Sequence, residues 1–204
     1  MNKKMLFTNA HLICPEQDLD ASGWLATDGD KVAAIGTDDN LSGEYKNAEL
    51  IDCNGDILAP GLVDMRVKSG DPGAEHLETL SSLKKAAAHG GITSFAILPS
   101  TEPVIETAAM IDSLHLRASR IDGPSLYCYG AITKNLEDDQ MAELGMMAGA
   151  GALAFSSGTL SVQNAQTMRR IFTYASMLNL PVIHHCEDKS LTKDGDMNEG
   201  ETST

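Results

Sequence analysis

From residue 57 onward the apolar positions repeat a simple grammar: a short continuous apolar run, a turn rich in Gly, Pro or Ser, then a longer stretch with apolar residues at helical spacing. Runs of the first kind predict buried strands and stretches of the second kind predict amphipathic helices. The strands fall at Ile57 to Val67, Ile92 to Leu98, Leu126 to Tyr129, Gly151 to Phe155 and Leu180 to His185. Helices are predicted between them, at Glu75 to His89, Ile105 to Arg120, Glu137 to Ala148 and Asn164 to Leu178. Each repeat takes about thirty residues, the length of a strand plus a crossover helix. The expectation is a parallel sheet covered by helices, an α/β arrangement.

The first fifty-odd residues follow a different pattern. Short alternating segments run from Met5 to Ile13, Trp24 to Thr27, Val32 to Ile35 and Glu49 to Ile51. Asp28-Gly29-Asp30 between two of them is a hairpin signal. Residues 1–56 are therefore expected to form a small β domain, and residues 57–204 the α/β domain.

Five parallel strands suit either an open doubly wound sheet or the first part of an eight-stranded barrel. The first βα turn, Ser69-Gly70-Asp71-Pro72-Gly73, is not G-x-G-x-x-G, and no Walker pattern occurs. An incomplete barrel is the better reading.

Charge and composition narrow the class. The formal charge of −14, with 15 scattered basic residues, argues against a nucleic-acid footprint. No run approaches the roughly 20 apolar residues of a membrane span, and residues 1–8 lack the apolar core of a signal peptide. A cytoplasmic address is the default expectation. Cys14, Cys53, Cys128 and Cys186 show no CxxC pair, so they are expected to be reduced thiols, mostly buried.

One stretch stands out chemically. Strand alternation puts Asp64, Arg66 and Lys68 on one face at the C-terminal end of the first α/β strand. Three charges on an apolar strand need partners or a polar cavity. The simpler alternative is that the strand emerges into solvent there.

These residues sit within motifs that resemble the dihydroorotases of the bacterial long-chain type, in the cyclic amidohydrolase superfamily. The motifs are Asp28 to Gly36, Ala59-Pro60-Gly61-Leu62-Val63-Asp64, Asp71-Pro72-Gly73-Ala74-Glu75-His76, Ala87 to Thr93, His185-Cys186-Glu187-Asp188 and Met197-Asn198-Glu199-Gly200. The resemblance implies an amidohydrolase-type (β/α)8 TIM barrel, here only its first five or so β/α units, plus a small N-terminal β-sandwich domain. It also implies that the chain stops early, as an excised or proteolytic piece or as a chain completed by a partner.

In active relatives the first barrel strand ends in His-x-His followed by Leu-Arg-Glu-Pro-Gly, where the histidines bind zinc and the arginine binds the substrate carboxylate. Here Arg66 and Lys68 occupy the histidine positions and Gly70 the arginine position. Ser100 stands where the family places a substrate-binding Asn, and Ser157 where it places a bridging Asp. Of the matched ligands His185 alone is kept, and His184 beside it is expected to be a satisfied core histidine.

Arginine and lysine do not ligate zinc near neutral pH, and serine bridges metals poorly. The resemblance therefore implies a degenerate dihydroorotase-like protein without metal or a catalytic residue of its own. It would serve as a structural partner of aspartate transcarbamoylase in a homo- or hetero-oligomer. The alternative is an active zinc-dependent dihydroorotase or related cyclic amidohydrolase; a third reading is a complete open α/β binding domain. Arg66 and Lys68 would either neutralise acidic groups at the mouth or form an anion site with Arg66 as a carboxylate fork. Glu187 and Asp188 are expected to cap the next segment or pair with a cation, and Met146-Met147 to be helix packing.

Overall fold

The computed structural model describes residues 3–37, 45, 47–192, 195, 197, 200 and 201, and divides into two compact units, Met1–Gly61 and Leu62–Thr204. The first unit carries β1 (Lys4–Cys14), β2 (Leu19–Asp28), β3 (Lys31–Gly36), β4 (Glu49–Asp52) and β5 (Ile57–Leu58). They form one five-stranded sheet in the order β3-β2-β1-β4, with β5 also on β1. The predicted hairpin is present: β2 and β3 are antiparallel around Gly29, whose φ of 64° is one that glycine adopts freely. Leu6, Ala26 and Tyr45 are buried together here, with Trp24 tilted against Tyr45 at 6.2 Å between ring centroids.

The second unit runs β6 (Leu62–Val67), α1 (Leu80–His89), β7 (Ile92–Ile97), α2 (Ala108–Ser119), β8 (Ser125–Ala131), α3 (Leu144–Gly149), β9 (Ala154–Ser156), α4 (Ala165–Met177), β10 (Val182–Ile183) and a last short turn, α5 (Lys189–Thr192). The sheet order β10-β9-β8-β7-β6 follows the sequence, and every pairing is parallel. Phe95, Ile97, Leu126, Cys128 and Phe155 pack outward against Leu83, Ile111, Leu114, Met147 and Ile171 of the helices. Ala96, Leu98, Tyr129 and Ala154 form a second, smaller cluster.

Capping explains where the helices begin. Thr79 accepts from the Ser82 N–H and Ser82 bonds back to the Thr79 N–H, which starts α1 at Leu80 rather than at the predicted Glu75. Asn164 accepts from Gln166 and Thr167, fixing the start of α4 as predicted. The third predicted helix begins late, because residues 137–143 instead bond back to the segment just after β8: Lys134 N–H donates to Gln140 O and Ala142 N–H to Ile132 O.

The run from Ile57 to Val67 predicts one strand, and this is corrected. Ile57 and Leu58 pair with His11 and Leu12 of the first sheet, whereas Leu62 enters the second sheet through a bond to Gly91 O. Pro60 between them has no N–H to continue a ladder. The division between units accordingly falls after Gly61, five residues beyond the predicted boundary. Of the thiols only Cys128 is buried, with its pKa pushed up to about 12 by burial; Cys14 and Cys53 are half-buried and Cys186 is exposed.

Candidate functional site

In a barrel built of parallel β/α units, chemistry collects at the C-terminal ends of the strands. At that end of β6, Val67 packs with the outward core, while Arg66 and Lys68 on either side of it are exposed. The pairing with β7 is irregular between Asp64 and Val67. There the Arg66 N–H donates to Asp64 Oδ1 at 2.9 Å, so the strict alternation predicted for Asp64, Arg66 and Lys68 is interrupted. From β8, the Tyr129 hydroxyl donates to Met65 O at 2.8 Å. Burial, and then the Asp64 charge, raise the Tyr129 pKa, keeping that donor protonated.

The loop after β6 is tightly closed. A Cβ on Gly70 would lie 2.9 Å from both Ala74 O and Glu78 O. One on Gly73, at φ 101°, would lie 1.7 Å from Glu102 O. Asp71 is buried, with its Oδ2 taking the Arg117 guanidinium and the Leu80 N–H, while Oδ1 has no hydrogen-bond partner. At position 70, then, a side chain of any kind meets backbone.

The other predicted positions follow β7, β9 and β10, and contacts link them. The Ser157 hydroxyl, buried after β9, accepts from the His185 N–H at 3.2 Å. Gly158 lies against exposed Ser100, whose Oγ would be 3.3 Å from a Cβ on that glycine. The structure thus joins Ser100, Ser157 and His185 into one cluster. Arg66, Lys68 and Gly70 belong to the β6 end.

His185 itself is half exposed, and its Nε2 lies 3.2 Å from Glu187 Oε2. That contact and the Thr192 hydroxyl hold the Glu187 pKa below its usual value, the hydroxyl contributing most. Asp188 accepts from the Ser190 N–H and hydroxyl at the start of α5. His184 Nε2 accepts the Val162 N–H at 2.9 Å, the satisfied histidine that the sequence predicts. Burial and then the His185 charge depress its pKa. In the motif Met197-Asn198-Glu199-Gly200, Asn198 and Glu199 lie outside the described residues.

Do these residues suit a zinc ion? Among the described residues no three His, Cys, Asp or Glu side chains are placed to hold one. The donor set at β6 is a guanidinium and an ammonium, both without a lone pair to give near neutral pH. Near His185 the one oxygen ligand is Glu187, with Ser157 Oγ turned to backbone. The described residues do not fit a two-metal centre.

Sequence reasoning missed Arg117 and Tyr129. Their partners lie 46 and 64 residues away, and no local pattern announces such pairs.

A parallel sheet flanked by helices, its strands in chain order, is the architecture of part of a (β/α)8 barrel. The structure is similar to an L-hydantoinase (dihydropyrimidinase) from Arthrobacter aurescens, with a TM-score of 0.74 and 22% identity over 95% of this chain and 42% of that one. It is also similar to a D-hydantoinase (dihydropyrimidinase) from Thermus sp., with a TM-score of 0.66 and 21% identity over 92% of this chain and 41% of that one.

The sequence profile of the Dihydro-orotase-like family matches residues 55–204, and the chain belongs to that family. It is 38% identical to a dihydroorotase of Wolbachia sp. subsp. Drosophila simulans (strain wRi), over 98% of this chain and 44% of the relative. With a dihydroorotase of Pelotomaculum thermopropionicum (strain DSM 13744 / JCM 10971 / SI) the identity is 43%, over 85% of this chain and 40% of the relative. The chain thus spans less than half the length of these curated relatives. No helix among the described residues is long and apolar enough to cross a membrane.

Proposed function

We propose that this chain belongs to a dihydroorotase-like protein of pyrimidine biosynthesis that has no metal centre and no hydrolytic activity of its own, and that acts as a structural partner of aspartate transcarbamoylase. What supports the reading is the β6 end. Two cations stand where the resemblance to dihydroorotases places two metal ligands, and the loop in which it places a substrate-binding arginine is closed on Gly70. Without a metal to polarise the amide carbonyl and lower the pKa of a bound water, hydrolysis of a cyclic amide loses both its electrophile and its nucleophile.

A second reading, a working zinc-dependent dihydroorotase or related cyclic amidohydrolase, draws on one observation: His185 is exposed, with Glu187 beside it at 3.2 Å. Its minimum is a metal held by His185 together with ligands from outside these 204 residues.

The test is dihydroorotate hydrolysis by the full-length protein with zinc supplied, run beside co-purification with aspartate transcarbamoylase. No turnover and a stable complex are expected. Turnover abolished by His185→Ala selects the second reading.

A further inference from the structure

At the N-terminal end of the barrel sheet, opposite the strand ends described above, lies a cavity of about 590 Å3. It is bounded by α1, the end of α2, the start of β8 at Ser125 and the turn before β9 at Gly151. Barrel enzymes place their chemistry at the other end of the strands, so nothing in the site already described accounts for this one. Four titratable residues line it: Lys84 from α1, His115 from α2, Asp122 from the turn after α2 and Tyr127 from β8. Pro124 and Leu126, both buried, give it an apolar wall.

Lys84 is only 4% exposed, which is rare for a lysine. Its ammonium donates to Ala118 O at 2.9 Å and to Ile121 O, carbonyls at the C-terminal end of α2, and these take two of its three N–H groups. Carbonyl dipoles fix the ammonium in place but meet a full charge with partial charges alone. Asp122 follows Ile121 directly, and a Cβ on Gly123, the next residue, would lie 3.7 Å from Lys84 Cε. The residues on both sides of Asp122 therefore touch the ammonium end of Lys84. The Asp122 carboxylate is nevertheless exposed and, among the described residues, pairs neither with that ammonium nor with any other cation. His115 completes the set. Its ring packs on Gly151, where a Cβ would lie 3.3 Å from Cε1, and its buried Nε2 has no hydrogen-bond partner.

We propose that this cavity binds a small molecule carrying both a carboxylate and an amine, an α-amino acid with an apolar side chain. The ligand carboxylate accepts the third N–H of Lys84 and the N–H of His115 in its Nε2–H tautomer, the ligand ammonium donates to Asp122, and the side chain lies on Pro124 and Leu126. Opposite charges that line one cavity without pairing select a molecule that carries both. A simple anion would meet Asp122, and a simple cation would meet Lys84. Because Lys84 belongs to α1 and its acceptors to the end of α2, the ligand bridges the two helices and stabilises the folded chain by mass action.

Isothermal titration of the full-length protein with L-leucine tests the proposal, beside isocaproate, which lacks the amine, and isoamylamine, which lacks the carboxylate. Saturable binding of L-leucine is expected, with each analogue weaker by about tenfold or more, the loss of one charge-assisted contact. Asp122→Asn removes a charge that has no partner within the chain, so the fold is expected to persist. It should weaken L-leucine by about tenfold or more and leave isocaproate unchanged, whereas His115→Phe should weaken both. Lys84→Met also strips the α2 carbonyls of their donor and can fail to fold, so Asp122→Asn and the two analogues decide the matter.

Absence of L-leucine binding overturns the proposal. Binding of isocaproate or isoamylamine as tight as that of L-leucine overturns it as well, because the two charged ends are then not read together. L-leucine binding that Asp122→Asn and His115→Phe leave unchanged also overturns it, because the ligand then sits elsewhere on the protein.

Discussion

The two ends of one sheet differ. At β6 the loop is closed around Gly70 and Gly73, tied by Asp71 to Arg117, and the strand presents two cations. At β10 an imidazole, His185, stands on an exposed loop, with Ser157 behind it and Glu187 beside it. The first end is tightly packed and carries two cations; the second is exposed and carries an imidazole. The contrast lies at the strand ends, apart from the outward core of Phe95, Ile97, Cys128 and Phe155 that specifies the sheet, so the chemistry of the ends is separable from the packing.

The contrast is broken most severely at Gly73. Gly73→Ala forces a Cβ into Glu102 O from a positive φ, and we expect a loss of about 4 kcal/mol or failure to fold, read by chemical denaturation. Gly70→Arg, which restores the family's residue, is expected to cost about 2 kcal/mol without producing hydrolysis, because the new side chain starts against Ala74 O and Glu78 O.

At the β10 end the effects shrink. His184→Ala leaves the half-buried Val162 N–H without its acceptor and should cost about 1 kcal/mol. His184 also sets a pH dependence. Its folded pKa is depressed, so the unfolded chain binds the extra proton more readily, and stability is lost as pH falls through and below the ordinary histidine value near 6.5. Protonation also removes the lone pair that accepts Val162 N–H. Thermal melts from neutral to mildly acidic pH should decline in the parent and flatten in His184→Gln. The smallest effect is expected for His185→Ala, within about 0.5 kcal/mol, because this ring is half exposed and packs on little. A large loss there would mean that the imidazole is structural and that the comparison is misdrawn.

Much of this was legible in the sequence, for identifiable reasons. The alternation of apolar runs and helical spacing marked the parallel strands, and Asn164 marked the start of α4, because those signals are local. Pro60 carried the information that the run from Ile57 breaks, but continuous hydrophobicity on both sides of it masked the exchange of sheets. Asp138, Asp139 and Gln140 gave no sign that the backbone of residues 137–143 would bond to the segment just after β8 rather than coil into a helix. At the site, identities were legible and engagements were not. The substitution of Arg66 and Lys68 could be seen in one line of sequence. That Gly70 is sealed by Glu78, or that Glu106 is taken by Asn135, depends on contacts that only the folded chain supplies.

The central claim is that the β6 end has exchanged metal ligation for positive charge. The most direct measurement is the zinc content of the full-length protein, purified without chelator after growth with zinc, for the parent and for His185→Ala. The account predicts well below one zinc per chain in both proteins. Near-stoichiometric zinc in the parent, lost in His185→Ala, would contradict it.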